Sequence, residues 1–264
     1  MHGIFYDPKH DEIVVPVALG GAVLTLPGGA DGGAPPLRVL QGAKTGLVQP
    51  DTHYVDVAHD EMIVDSGDDS VLVFNRTASG DVPPLRKLGG PKTRIRNIYG
   101  MTVDSVHDRI IIANRVDIGG RQSEDGILIF NRTDEGDIAP RGVIAGPHTG
   151  IIKIRQVVAD DERGLIFATV KNNFENYDIE DERPSPWNPD KTGFIGVWSI
   201  DDNGDMAPRG VIKGPATGLI WPAGVAINPK NNEVYTIDSV SNALFMFHMP
   251  ELFRKPGASQ GVQR

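Results

Sequence analysis

Apolar and polar positions along this chain come in short bursts. A representative stretch reads Tyr54-Val55-Asp56, Met62-Ile63-Val64, Val71-Leu72-Val73-Phe74 and Leu85-Arg86-Lys87-Leu88, separated by Gly, Asp, Asn and Pro. Short β-prone runs divided by tight-turn residues predict strands joined by hairpins. No segment carries an apolar stripe of 3.6-residue period over three turns, so helix is expected to be minor. The longest apolar runs, such as Ile110-Ile111-Ile112, are far too short to form a membrane-spanning helix.

The bursts recur. Pro36 to Thr45, Pro84 to Thr93, Pro140 to Thr149 and Pro208 to Thr217 each place Pro six residues before a Gly and Thr three residues after it. Another motif precedes this one: Asp7-Pro8-Lys9-His10-Asp11-Glu12-Ile13 matches Asp56 to Met62 and Asp104 to Ile110, with weaker versions at Ala159 to Leu165 and Asn228 to Val234. The marks Gly42, Gly90, Gly146 and Gly214 lie 48, 56 and 68 residues apart. The growth comes from one link, which is Asp65 to Ser70 in the second unit, Ala113 to Gly126 in the third and Val170 to Gly193 in the fourth. A constant framework with one variable loop is the signature of stacked supersecondary units. Four short strands per unit of roughly 50 residues describe a β-propeller blade.

The reading is therefore all-β, a propeller of four-stranded blades with five repeats, forming a five-bladed ring or part of a six-bladed one. The blades are expected near residues 1–51, 52–97, 98–154, 155–222 and 223–249 of one domain, with 250–264 a C-terminal tail. That tail either completes the ring, or the chain belongs to a larger propeller.

Composition sharpens this picture. Among 264 residues, 31 Gly and 20 Pro are an excess that turns in every blade account for. An apolar content of 39% supports a packed core. With no cysteine, disulfides, thiolate metal sites and cysteine nucleophiles are all excluded. A net charge of −9 argues against nucleic acid or an anionic membrane as the main partner.

Glu61-Met62-Ile63-Val64-Asp65-Ser66-Gly67-Asp68-Asp69-Ser70-Val71-Leu72-Val73-Phe74 resembles the core of an NHL-type repeat, as does Asn232 to Phe247 with Asp238-Ser239-Val240-Ser241-Asn242. The wider resemblance, over nearly the whole chain, is to the NHL, TolB-like and SMP-30-like group of β-propellers. That group includes lactonases, sugar-binding modules and protein-docking platforms, so the resemblance implies architecture rather than a reaction. It also favours a periplasmic or extracellular setting, although the chain opens without a signal peptide. An SMP-30-like hydrolase would hold a divalent cation such as Ca²⁺ on carboxylates and amides. The matching positions here are Gly3, His53, Gly100, Gln156 and Gly224, a poor oxygen-ligand set.

With strands named A to D outward from the axis, D-to-A and B-to-C links emerge on one face. The A-to-B and C-to-D links, including the Asn-Arg-Thr-x-x-Gly-Asp turns, emerge on the other. Both long insertions fall on the first face, which is therefore where binding is expected. Residues just before each inner strand should line the axial mouth: His2, Asp51 with His53, Tyr99, Lys153 with Arg155, and Trp221. Arg115 from the shorter insertion, and Asn172 and Tyr177 from the longer one, complete the candidate ligand-binding set. The long insertion adds Phe174, Trp187, an acidic run from Asp178 to Glu182 and three prolines, a composition suited to a shaped cover.

Several other motifs read as structural. His10, His59 and His107, each followed by Asp, recur one blade apart and do not converge. Asp7, Asp56 and Asp104 are expected to hold backbone N–H groups in turns. Asn75-Arg76-Thr77 and Asn131-Arg132-Thr133 match a glycosylation sequon, but their equivalence in two blades points to a turn device. Asp65 to Asp69 lacks the spacing and terminal Glu of an EF-hand. No nucleophile elbow or phosphate loop is present. The expected function is a non-catalytic binding module for a protein, glycan or small ligand on the insertion-bearing face. The alternatives are a divalent-metal-dependent lactonase or esterase-like hydrolase at the channel mouth, and a structural subunit of an assembly.

Overall fold

A computed structural model describes residues 3–115, 125–171 and 192–253. The chain is an all-β propeller of five blades arranged about one axis. Strands β1 (Phe5–Asp7), β2 (Glu12–Val17), β3 (Ala22–Pro27) and β4 (Arg38–Gln41) form blade one. Blade two has β5 (His53–Asp56), β6 (Glu61–Ser66), β7 (Ser70–Asn75) and β8 (Arg86–Gly89). Blade three has β9 (Ile98–Asp104), β10 (Arg109–Asn114), β11 (Gly126–Asn131) and β12 (Gly142–Ala145). Blade four has β13 (Ile154–Asp160), β14 (Leu165–Val170), β15 (Phe194–Ser199) and β16 (Gly210–Ile212). Blade five, among the described residues, is the three-stranded sheet β17 (Pro222–Asn228), β18 (Glu233–Asp238) and β19 (Ala243–His248). Every pairing within a blade is antiparallel between chain neighbours.

The repeated Gly-x-x-Thr has a physical cause. Gly42, Gly90, Gly146 and Gly214 adopt φ of 138°, 121°, 130° and 108°, a region that L side chains rarely enter. Each opens a three-residue 3-10 turn, and the Thr hydroxyl donates back to the Gly carbonyl at 2.6–2.7 Å. The same hydroxyl accepts the N–H two residues on, from Leu47, Ile95, Ile151 and Leu219. Thr45 and Thr93 are fully buried, so this local closure satisfies groups that water does not reach.

The Asp-x-x-His turns are structural, as their repetition implies. Asp7 accepts the N–H of Lys9 and His10, and its other oxygen meets His10 Nδ1 at 2.7 Å. Asp56 with His59, and Asp104 with His107, repeat the arrangement. The Asn-Arg-Thr turns, and their Ser199-Ile200-Asp201 equivalent in blade four, reach further than a simple corner. Gly80, Gly136 and Gly204 pair with Leu40, Leu88 and Ile144 on the outer strand of the preceding blade. Asp81 then accepts the N–H of Lys44, Asp137 that of Lys92, and Asp205 that of His148. Each turn thus climbs the exposed strand edge of its neighbour and shields it from outside pairing.

Four apolar clusters fill the spaces between consecutive blades. Val14, Val23 and Leu40 meet Val55, Val64, Leu72 and Phe74 between blades one and two. Ile63, Val73 and Leu88 meet Met101, Ile110 and Ile112 between two and three. Ile111, Ile129 and Ile144 meet Ile154, Ile166 and Trp198 between three and four. Phe167 and Val197 meet Val225, Val234 and Phe247 between four and five, where Leu252 and Phe253 also pack. Sheets apolar on both faces explain the near-continuous aliphatic runs of the middle strands.

Candidate functional site: a channel with a cationic mouth

The inner strands surround a cavity of about 520 Å³. Its wall includes Phe5 from β1, His53 from β5, Tyr99 and Met101 from β9, Arg155 to Val158 from β13, and Val225 from β17. These positions lie toward the starts of the inner strands, on the face that carries the insertions. The volume falls within the range that holds small-molecule ligands.

Of the residues expected at this mouth, the structure brings His53, Tyr99 and Arg155 into the cavity wall, while Arg115 stacks on Tyr99 and Trp221 lies against Lys171. The Arg115 and Arg155 guanidinium carbons lie 4.5 and 4.8 Å from the Tyr99 ring centroid. Lys171 Nζ sits 4.5 Å from the Trp221 ring centroid. Such contacts exploit the negative face of the ring to hold a cation in place. Gly3, Gln156 and Gly224, from the metal-matching set, also line the cavity. Asn172, Tyr177 and His2 fall outside the described residues.

Sequence reasoning missed Lys171. The residue follows β14 directly, and its N–H donates to the Lys153 carbonyl at 3.2 Å, which fixes where the side chain starts. Burial pushes its ammonium down to about 8, and the positive charges of Arg155, Arg115 and Lys153 push the same way, with Asp238 opposing them. Four cationic side chains from blades three and four therefore share one mouth. Arg115 and Lys171 follow the ends of β10 and β14 while Lys153 and Arg155 stand at the start of β13, so separate stretches of chain meet and no local motif announces it.

His53 lies deeper. It is 5% exposed, and its ring makes no well-formed hydrogen bond, only a weak one to the Val14 backbone. Burial lowers its pKa to about 4, against a smaller opposing effect of the Val14 backbone, so the ring is neutral at physiological pH. At the far end the sign reverses. Ser105 donates its N–H to Asp161 at 3.1 Å and its hydroxyl to Asp56 at 3.0 Å. Burial raises Asp161 to about 6, and the nearby Asp104 and Asp56 raise it further against the Ser105 hydrogen bond. Tyr54, in the channel wall, has its phenol pushed upward by burial and by Asp161.

The insertion-bearing mouth thus gathers four cationic side chains together with the carboxylates of Asp65, Asp125 and Asp238, the middle is neutral and aliphatic, and Asp56, Asp104 and Asp161 lie at the opposite end. Among the described residues, no three His, Asp or Glu side chains are grouped to hold a metal ion. A divalent cation at the mouth would also face the guanidinium groups that stack on Tyr99. The fold and this channel define the class, a five-bladed β-propeller. Comparison with protein-family models finds none that matches, and comparison with curated proteins finds no significant relative.

Proposed function

We propose that the protein is a binding propeller whose insertion-bearing mouth captures a small organic anion. In this reading Arg115, Arg155, Lys153 and Lys171 face the ligand's carboxylate or phosphate. The apolar body then lies along Val157, Val158, Val225 and Met101, with Tyr99 and Trp221 as aromatic walls. The observation that carries it is the gathering of four cations at one mouth of a chain whose net charge is −9. Local positive potential on an acidic protein steers anions to that point and away from the rest of the surface. Guanidinium groups already oriented by Tyr99 lose less freedom on binding, which favours affinity. Kinship with NHL-type, TolB-like and SMP-30-like propellers belongs to the same proposal. It rests on the strand–Asp-Ser-Gly–strand pattern at Glu61 to Phe74 and on the blade architecture.

The test is calorimetric titration with a graded series of aryl and alkyl carboxylates, each paired with its neutral amide. Carboxylates should bind at least about tenfold tighter than their amides. Lys171→Gln and Arg155→Gln should each remove that preference. Equal binding of acid and amide, or no binding across the series, would refute the proposal.

A further inference from the structure

Lys171 stands apart from the other cations of the mouth. Its Nζ lies 4.5 Å from the Trp221 ring centroid, and among the described residues no hydrogen bond or ion pair is made to it. Lys87, on the outer strand of blade two, shows the ordinary arrangement, with Nζ 2.6 Å from an Asp68 oxygen. The carboxylate that bears on Lys171 is engaged elsewhere. Asp238 accepts the N–H groups of Ile220 and Trp221 on one oxygen, at 2.8 and 2.6 Å. Its other oxygen accepts those of Val240 and Ser241, at 3.0 and 2.9 Å. Asp125 likewise accepts the Lys153 N–H at 2.6 Å. Carboxylates at this mouth hold backbone in place, and the Lys171 amine is left on an aromatic face.

An amine that is partly desolvated and set among other cations gives up its proton readily and becomes a nucleophile. Burial acts first on Lys171, then the charges of Arg155, Arg115 and Lys153, with Asp238 opposing them. Titrating at about 8, it is neutral in roughly one chain in ten at pH 7, against roughly one in three thousand for an ordinary lysine. The side chain is also fixed at both ends. Its N–H donates to the Lys153 carbonyl at 3.2 Å, and the Trp221 ring holds the ammonium end. Arg155, whose charge acts most strongly on it, lines the cavity and lies 4.8 Å from the Tyr99 centroid. A group suited to receive a carboxylate therefore adjoins one suited to attack a carbonyl.

We propose that Lys171 captures α-keto acids as a covalent imine at the mouth of the channel, with Arg155 and Arg115 receiving the adjoining carboxylate. An α-keto acid carries its carboxylate and its electrophilic carbonyl on neighbouring carbons, which matches a cation beside an amine. The Nζ lone pair forms a bond to the carbonyl carbon, and the carbonyl π pair moves to oxygen. Transfer of one amine proton to that oxygen gives a carbinolamine. Its hydroxyl then leaves with the remaining amine proton as water, and a C=N bond to Nζ is left. Amine and keto acid thus give imine and water without oxidant or reductant, and hydrolysis reverses the step. The carboxylate contact rests on the anion reading above, whereas the nucleophile does not.

The probe is α-ketobutyrate, mixed with the full chain at pH 7.5 and cyanoborohydride, which delivers hydride to an imine and makes the adduct permanent. The protein should gain the mass of the acid less one oxygen atom. Peptide mapping should place that gain on Lys171 at least about tenfold above the exposed Lys9, Lys44 and Lys92. Lys171→Arg, which keeps the charge, should abolish the adduct, and α-hydroxybutyrate, which has no carbonyl, should form none. Labelling of Lys171 no greater than that of the exposed lysines would overturn the proposal, as would undiminished labelling of Lys171→Arg. The two readings fail separately. If carboxylates bind above their amides yet Lys171 is not labelled, the imine is refuted and the anion reading stands. If the amide of α-ketobutyrate labels Lys171 as well as the acid does, the anion reading is refuted and the nucleophile stands.

Discussion

His53 makes this fold sensitive to acid in a way that can be isolated from every other titration. The ring is buried, without a well-formed hydrogen bond, and titrates near 4 in the folded chain against about 6.5 when unfolded. A depressed folded pKa means that the unfolded chain binds the proton first. The stability is therefore complete above about pH 6.5 and is lost as pH falls toward 4. Two-state linkage with these values gives a loss of about 2 kcal/mol between pH 7.5 and pH 5. Asp65 and Asp161 act in the opposite sense. Both are raised to about 6, mainly by burial, so each gains relative stability as pH falls through 6 toward the ordinary carboxylate range. The raw pH profile mixes these contributions, and the difference between wild type and His53→Leu removes them. Urea denaturation of both proteins from pH 7.5 to 5 should show the variant gaining on the wild type by about 2 kcal/mol. At pH 7.5 the variant should lie within about 1 kcal/mol of wild type or above it, because leucine removes two buried unpartnered nitrogens. A flat difference curve would refute the reasoning, since it would mean that the ring keeps its proton in the folded chain.

Three further outcomes follow from the geometry. Arg132→Ala removes contacts to Glu61 at 2.8 Å and Asp108 at 2.7 Å and should destabilise by about 1–3 kcal/mol in chemical denaturation, because it leaves the buried Glu61 carboxylate with Arg86 alone. Arg141→Ala, whose pair with Asp201 is exposed and 3.9 Å long, should stay within about 0.5 kcal/mol and serves as the control. Gly100→Ala places a Cβ 2.8 Å from the Gln156 Cα on the adjoining inner strand, so overpacking should cost about 1–3 kcal/mol, and a neutral result would mean that the channel is looser than described. Lys171 titrates near 8, so carboxylate affinity should fall between pH 7 and pH 9 in wild type. In Lys171→Arg, which keeps its charge, the affinity should hold over that range.

The blades were legible because their signals are local. Gly42, Gly90, Gly146 and Gly214 need positive φ, the Thr three residues later closes the turn, and both lie within one window of sequence. The channel candidates His53, Tyr99 and Arg155 followed from placing the inner strands, which fixes which residues start them. Lys171 was not legible, because it follows the end of β14 and only the fold brings Trp221 of the next blade against it. The Arg76–Glu12 and Arg132–Glu61 pairs span 64 and 71 residues. The repeat alignment contained them as matched columns, yet read blade by blade Arg76 and Arg132 looked like parts of a turn. Leu244 and Met246 alternate like any strand face, and their exposure of 69 and 55% shows only once their neighbours are placed.

The interfaces within the ring are not equivalent, and the difference bears on where a ligand site can be rigid. Blades one to three are clipped by Glu–Arg pairs in addition to their apolar clusters. The contacts of blades three with four and four with five replace the clip by Ile200 and Met249, each packed into an apolar cluster. Ionic clips weaken with salt and with protonation of the carboxylate, whereas buried Trp198 and its aliphatic neighbours respond to neither. The cation pair on Tyr99 and the Lys171–Trp221 contact stand on blades three to five, where those apolar interfaces lie. A mouth built from closely spaced charges gains most from such a foundation. Its geometry then depends on packing, and changes in salt can alter ligand attraction without moving the groups that supply it.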